Sequence, residues 1–119
     1  MTLLQALVLS LLLLGAPVDC WAHAFLAGAT PPAGAVVPAA PTLTLRFSEA
    51  VEPAFCVIEV SDPGGAKLRL PPPRAVGGDA RRLSVAMPPL PDGNYTVIWR
   101  VTSADTHRTE GRYQFTVGH

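Results

Sequence analysis

The sequence has no excess of charge of either sign, few aromatic residues and only two cysteines. Nine lysines and arginines balance nine aspartates and glutamates, so the formal net charge is zero and the excess of basic residues typical of nucleic-acid-binding proteins is absent. Charged residues are only 15% and hydrophobic residues 49% of the 119, which is too apolar for a disordered chain. We therefore expect a single folded domain with no nucleic-acid partner.

Long apolar runs are confined to the N-terminus. Residues 3–17 carry no charge, but a run of about fifteen residues is too short for a membrane-spanning helix and lies where a secretory signal peptide lies. Small residues favour cleavage after Ala22. We therefore predict a signal peptide over residues 1–22 and an exported domain over residues 23–119, which begins at His23 and does not insert into a membrane.

The composition of this domain favours strands over helices. Cys56 is the one cysteine that would remain after cleavage, so no intramolecular disulfide can form. Thirteen prolines and ten glycines among the 119 residues, all but one of each within this domain, leave little room for long helices. Alternating apolar and polar residues, separated by turn residues, predict five strands at 42–47, 55–60, 82–87, 95–101 and 112–117, and two short ones at 24–26 and 67–70. About seven short strands predict an all-β fold, a Greek-key β-sandwich or barrel of immunoglobulin-like or cupredoxin-like shape.

The few aromatic residues are mostly needed inside this fold. Inward positions of the predicted strands hold Phe47, Tyr95, Trp99, Tyr113 and Phe115. Phe25 and Phe55 are the others in the domain, and they do not predict an exposed aromatic platform for sugars or bases.

Two short segments carry the residues that suggest chemistry. An N-terminal His23 would offer an α-amine and an imidazole that can chelate one metal ion. Asp105 and His107 stand two residues apart, and in an extended chain such a pair points to the same side. Nitrogen donors with one carboxylate oxygen suit Cu(II) better than hard cations. The alternative is that these are unrelated polar residues, with Asp105 in a turn and His107 on the surface.

From His23 onward the chain resembles the CopC family of periplasmic copper-binding proteins. The segments that carry the resemblance are HAFLAGATPPAGAVV, LTLRFSEAVEPAF, DGNYTVIWRVTSADTH and GRYQFTV, and the third matches the family signature G-x-Y-x-V-x-W-R-x-x-S-x-D-x-H. The resemblance implies a Greek-key sandwich that holds one Cu(II) through the amine and imidazole of His23, the imidazole of His107 and the carboxylate of Asp105. Glu49 matches an acidic family residue near this site, and is either a weak ligand or a group that orients the amine or a water.

The chain departs from the family pattern at two places. Some members also bind Cu(I) in a methionine-rich loop, whereas this domain has only Met87, so a second, soft copper site is not expected. Cys56 is more readily explained as a buried core residue than as a Cu(I) ligand. Arg108 stands where the family commonly has proline, and its positive charge is expected to reduce copper affinity modestly.

The resemblance implies a periplasmic Cu(II)-binding protein that buffers or delivers copper, working with a CopD-type transporter of the inner membrane, and not an enzyme. One alternative is an enzyme resembling the copper oxygenases that use a histidine brace, although the chain is too small to build a flat substrate surface. The other is an immunoglobulin-like interaction module that holds no metal.

Overall fold

The computed structural model describes residues 24–119, so the predicted signal peptide and His23 lie outside the described residues. This part of the chain forms eight β-strands and one 3-10 helix at Pro53–Phe55. The strands are β1 (Leu26–Thr30), β2 (Val36–Val37), β3 (Thr42–Phe47), β4 (Val57–Ser61), β5 (Arg74–Val76), β6 (Asp79–Ala86), β7 (Gly93–Thr102) and β8 (Arg108–Val117). No helix within residues 24–119 is long and apolar enough to cross a membrane.

The strands form two four-stranded sheets, which confirms the predicted all-β sandwich. The first sheet has the order β1-β3-β6-β5, and the second has the order β2-β8-β7-β4. Paired strands are antiparallel except β2 and β8, which are parallel. The chain changes sheet at every connection except the β5–β6 and β7–β8 hairpins. This path brings the segment before β1, the segment after β3 and the β7–β8 loop to one end of the sandwich.

The core lies between the two sheets, where the alternating strand pattern places its apolar residues. Phe47 of β3 meets Trp99 of β7 edge to face, with ring centroids 5.4 Å apart. Tyr95 stacks on Phe115 of β8 at 5.7 Å. Each such buried side chain stabilises the fold by about 1.5–3 kcal/mol relative to exposure. Trp99 lies over Gly111, its partner across the β7–β8 ladder, because a glycine leaves room for the indole.

Strands with clear alternation are found where they were predicted, with small shifts at their ends. The strand predicted at 42–47 coincides with β3. The strand predicted at 55–60 begins only at Val57, because the preceding residues turn as a 3-10 helix and leave Phe55 67% exposed. The short strand predicted at 24–26 begins at Leu26 and extends further, to the end of β1.

The weakest strand prediction is wrong. Residues 67–70 form no strand: Lys67 makes an isolated bridge to Ser61, and the backbone N–H of Leu68 donates to Val60. The chain joins the first sheet only after the three prolines, as β5, because proline has no N–H to donate to a ladder. Neither β5 nor the two-residue β2 was predicted, since both are too short for a periodic signal.

Candidate metal centre

The β7–β8 loop is a tight turn built around a buried serine. Ser103 is 2% exposed, and its backbone N–H donates to the carbonyl of His107 at 2.8 Å. The N–H of Thr106 donates to the carbonyl of Ser103 at 2.9 Å, and Thr106 adopts a left-handed φ of 73°. The expectation that this segment is extended is therefore wrong. A turn, and not an extended chain, brings the side chains of Asp105 and His107 to the same side.

Asp105 and His107 are in direct contact. The Nδ1 atom of His107 lies 3.0 Å from Oδ2 of Asp105. The other oxygen, Oδ1, accepts hydrogen bonds from the Ser103 hydroxyl and, at 3.3 Å, from the backbone N–H of His107. The Ser103 bond, followed by that of His107, lowers the pKa of Asp105 to about 2. Asp105 is therefore an anion at neutral pH.

The spacing and exposure of this pair suit a metal ion. Two donors that each lie about 2.0–2.2 Å from an ion at a right angle stand about 2.8–3.1 Å apart. The 3.0 Å between Nδ1 and Oδ2 falls in that range, and because it is also the length of the hydrogen bond that joins the two atoms, an ion would replace that bond. The His107 side chain is 53% exposed and that of Asp105 is 45% exposed, so an ion from solvent can reach both. The donor set, one imidazole and one carboxylate, fits Cu(II) among other borderline divalent ions.

The first described residues are fixed to the same end of the sandwich. The hydroxyl of Thr109 donates to the carbonyl of Ala24 at 2.7 Å, and Ala24 is fully buried. Phe25 exchanges two hydrogen bonds with Ser48: its N–H donates to the hydroxyl at 2.9 Å, and its carbonyl accepts from the Ser48 N–H at 2.8 Å. The segment that follows His23 is thereby held two residues beyond His107 along β8.

Glu49 lies in the segment that borders this loop. Its neighbour Ala50 accepts a hydrogen bond from the N–H of Ala104 at 3.1 Å, and Val51 forms a bridge with Ser103. Glu49 is half-buried. Within residues 24–119, however, no three histidine, cysteine, aspartate or glutamate side chains form a metal-binding group. Of the predicted site residues, the described part of the structure thus joins only Asp105 and His107.

Cys56 is buried, as predicted. It is 6% exposed, its Sγ donates to the carbonyl of Glu52 at 3.1 Å, and burial raises the pKa of its thiol. Met87 is also buried. Both residues with a sulfur atom in the described part of the chain thus lie in the core.

Sequence reasoning missed the residues that position the site. Ser103 fixes Asp105, while Ser48 and Thr109 fix the chain after His23. The serine of the S-x-D-x-H segment was a visible signal, because a hydroxyl two residues before an aspartate commonly forms a turn. Ser48 and Thr109 gave no signal, since their partners are distant in the sequence.

Fold and loop together define a β-sandwich with a candidate metal centre at one end. The CopC domain profile matches residues 26–118. The chain therefore belongs to the CopC domain family, as its resemblance implied.

Named relatives support this membership. Protein YobA of Escherichia coli K12 is 40% identical over 99 residues, covering 82% of this chain and 80% of that protein. Copper resistance protein C of Escherichia coli is 34% identical over 121 residues, covering 95% of each. The relatives that carry a functional name are copper resistance proteins, which agrees with the expectation that this chain is not an enzyme.

Solved structures agree with the fold. The crystal structure of CopC from Methylosinus trichosporium OB3b matches with a TM-score of 0.75 at 35% identity, covering 80% of this chain and 93% of that one. PcoC, a methionine rich copper resistance protein from Escherichia coli, matches with a TM-score of 0.69 at 31% identity, covering 82% and 100%.

Proposed function

We propose that the protein binds one Cu(II) ion through the amine and imidazole of His23, the imidazole of His107 and the carboxylate of Asp105. Glu49 stands beside this set as a weak ligand or as a group that orients the amine or a water. The signal peptide directs the protein to the periplasm and is cleaved after Ala22. There the protein buffers or delivers copper together with a CopD-type transporter of the inner membrane.

The contact between Asp105 and His107 is the observation that carries the proposal. Two donors stand 3.0 Å apart in a loop whose geometry is fixed by the buried Ser103. A donor pair that is already in place loses little conformational entropy when an ion binds, so more of the interaction energy appears as affinity.

The anchored start of the domain supports a role for His23. Consecutive Cα atoms are about 3.8 Å apart, so a histidine bonded to Ala24 is confined to the end of the sandwich where Ala24 is fixed. Thr109, which binds Ala24, lies two residues after His107. The anchoring of Ala24 beside Thr109 therefore supports a ligand set that joins His23 to the Asp105–His107 pair.

The donor atoms favour Cu(II) over Cu(I). Nitrogen and carboxylate ligands suit Cu(II), whereas Cu(I) prefers thiolates and thioethers. The relative PcoC is described as methionine rich, but this chain has two methionines in all. Of these, Met87 is buried.

A Cu(II) titration followed by electron paramagnetic resonance tests the proposal on protein whose N-terminus has been verified by mass as His23. We expect one tetragonal, nitrogen-rich signal at one ion per chain. In a version with methionine ahead of His23 the α-amine is a peptide amide, so the chelate that joins the amine and the imidazole is lost. This version should bind far more weakly, and more weakly than His107→Ala, which loses a single imidazole. Affinity should fall as the pH drops below about 6, because the nitrogen donors must lose protons to bind.

His119 supplies a matched control. It also contacts a carboxylate, with its Nδ1 atom 3.6 Å from Oδ1 of Asp92, and it is exposed. It follows the end of β8 that pairs with the start of β7, whereas the candidate site lies where β7 ends. The ten residues of β7, at about 3.3 Å each, separate the two places. His119→Ala should leave the affinity unchanged. A stoichiometric signal that is indifferent to the N-terminal methionine, or equal losses from both histidine variants, would contradict the proposed ligand set.

A further inference from the structure

The outer face of the first sheet carries arginines in adjacent positions. Arg46 of β3 stands directly opposite Arg82 of β6, and both are exposed. Arg74 of the edge strand β5 pairs with Ser84, two residues along β6 from Arg82. Side chains at such diagonal positions are about 7–8 Å apart, within reach of a long arginine. We call Arg46, Arg74 and Arg82 the arginine face.

Within the described part of the chain these arginines form no ion pair with an acidic side chain. Among the ion pairs within residues 24–119, those of lysine and arginine all belong to the second sheet or its margin: Lys67 with Glu59, and Arg100 with Glu59 and Glu110. The strands of the first sheet contain one carboxylate, that of Asp79, and it accepts a hydrogen bond from the backbone N–H of Arg81. A chain with a formal net charge of zero thus concentrates unpaired positive charge on one surface.

The side chain of Arg46 lies along the surface of the first sheet. The Nη2 atom of Arg46 donates to the carbonyl of Ala27 at 3.2 Å, so this side chain lies across β1. It can do so because Gly28 has no side chain: a Cβ there would stand 2.7 Å from Nη2. Like charges directly opposite each other destabilise a sheet, so pairing Arg46 with Arg82 costs stability unless an anion neutralises them.

The face lacks what a protein partner requires. Protein interfaces depend on buried aromatic or aliphatic anchors. The residues between the arginines are small and hydroxylated, Thr44 and Ser84. The exposed large apolar side chains of residues 24–119 all lie outside the strands of the first sheet: Phe25, Val36, Phe55 and Val57. Binding on this surface must therefore be electrostatic, and an array of phosphate groups satisfies that requirement.

We propose that the arginine face binds the headgroups of anionic phospholipids at a bilayer surface. Basic residues near such a surface each contribute a modest attraction that salt screens, and neighbouring guanidinium groups on one sheet face can contact several phosphates at once. The inference is independent of copper binding, because none of the three arginines belongs to the β7–β8 loop or to the segment after His23.

Sedimentation with vesicles tests this inference on metal-free protein comprising residues 23–119. These contain every described strand, and the apolar run at 3–17 would itself bind lipid. We expect binding to phosphatidylcholine vesicles with about a third phosphatidylglycerol at about 20 mM salt, and loss of binding at about 500 mM salt. Vesicles of phosphatidylcholine alone should not bind.

A pair of charge-matched double variants identifies the surface. Arg74→Gln with Arg82→Gln should weaken binding about 25-fold, since each basic residue near an anionic surface is worth about fivefold. Lys67→Gln with Arg112→Gln removes the same charge from the second sheet and its margin, and should change binding less than about threefold. Circular dichroism and copper titration of both variants check that fold and metal affinity are unaltered.

Three results would overturn the inference: no binding to the anionic vesicles at low salt, equal binding to neutral vesicles, or equal losses from the two double variants. The last would mean that net charge matters and the face does not. Variants that lose vesicle binding and keep their copper affinity, or that lose copper affinity and keep vesicle binding, separate this inference from the proposed function.

Discussion

Removing the hydroxyl of Thr109 is the smallest change that tests whether the start of the domain belongs to the metal centre. It donates to the carbonyl of the buried Ala24 at 2.7 Å. Thr109→Val keeps the shape of the side chain and removes this donor. We expect both the stability of the fold and the affinity for Cu(II) to fall, for different reasons.

The two effects have different sizes. A typical hydrogen bond contributes about 1 kcal/mol and a buried carbonyl left without a donor costs about 1–3 kcal/mol, so the free energy of unfolding should fall by about 1–2 kcal/mol. Releasing one residue of backbone costs about 1–2 kcal/mol when an ion must order it again. The dissociation constant for Cu(II) should therefore rise about 5- to 30-fold.

Thr102→Val is the matched control. The Thr102 hydroxyl also donates to a backbone carbonyl, that of Phe55 at 3.4 Å, but it does not contact the segment after His23. Urea unfolding and a Cu(II) titration against a competing chelator measure both quantities for each variant. We expect Thr102→Val to leave the affinity for Cu(II) unchanged.

A double-mutant cycle with the N-terminal methionine completes the test. When the amine is blocked, Thr109→Val should no longer weaken binding, because the chelate that it positions has been lost. An unchanged affinity in the uncapped, folded Thr109→Val variant would refute the reasoning. So would the same loss with and without the cap.

Further predictions concern the fold and the loop. Hydrogen bonds from Lys67 and Arg100 lower the pKa of Glu59 in the folded protein. The stability that this carboxylate contributes is therefore present above the unfolded pKa of about 4.3 and is lost as the pH falls through the folded pKa. Glu59→Gln should therefore reduce the unfolding free energy by about 0.5–1 kcal/mol at pH 7 and by almost nothing near pH 2, as measured with urea. Gly111→Ala places a Cβ 2.4 Å from Cζ2 of Trp99 and should cost about 1–3 kcal/mol in urea unfolding, whereas Gly118→Ala, with its nearest atom at 3.8 Å, should cost less than about 1 kcal/mol. Thr106→Asn should raise the unfolding free energy by about 0.5–1 kcal/mol, because asparagine tolerates the left-handed φ of 73° better than a β-branched residue does. A loss of stability would show that the threonine makes contacts that stabilise the fold by more than this strain costs.

The sequence predicted the strands whose stability comes from their own alternating pattern. In β3, Leu43, Leu45 and Phe47 are all buried as their period of two required. By contrast, β2 and β5 are two and three residues long and exist because a longer strand pairs with them. Such strands depend on tertiary partners and leave no periodic signal.

The site was predictable in its residues and not in its geometry. Asp105 and His107 were chosen for chemistry, and they meet because Thr106 takes a left-handed conformation that a threonine does not suggest. Contacts such as Thr109 with Ala24 join residues far apart in the chain, so only the folded arrangement reveals them.

The two proposals together determine how the protein would approach a membrane transporter. The arginine face is the broad side of the first sheet, whereas the candidate metal centre lies at an end of the sandwich, where β7 ends and β8 begins. Side chains stand perpendicular to a sheet, so a protein bound through the arginine face lies with its strands roughly parallel to the bilayer. The metal centre then faces along the bilayer plane and not into it. An ion held there is exposed to a protein embedded in the same bilayer, and weakening the arginine face should slow the transfer of copper without changing the affinity for it.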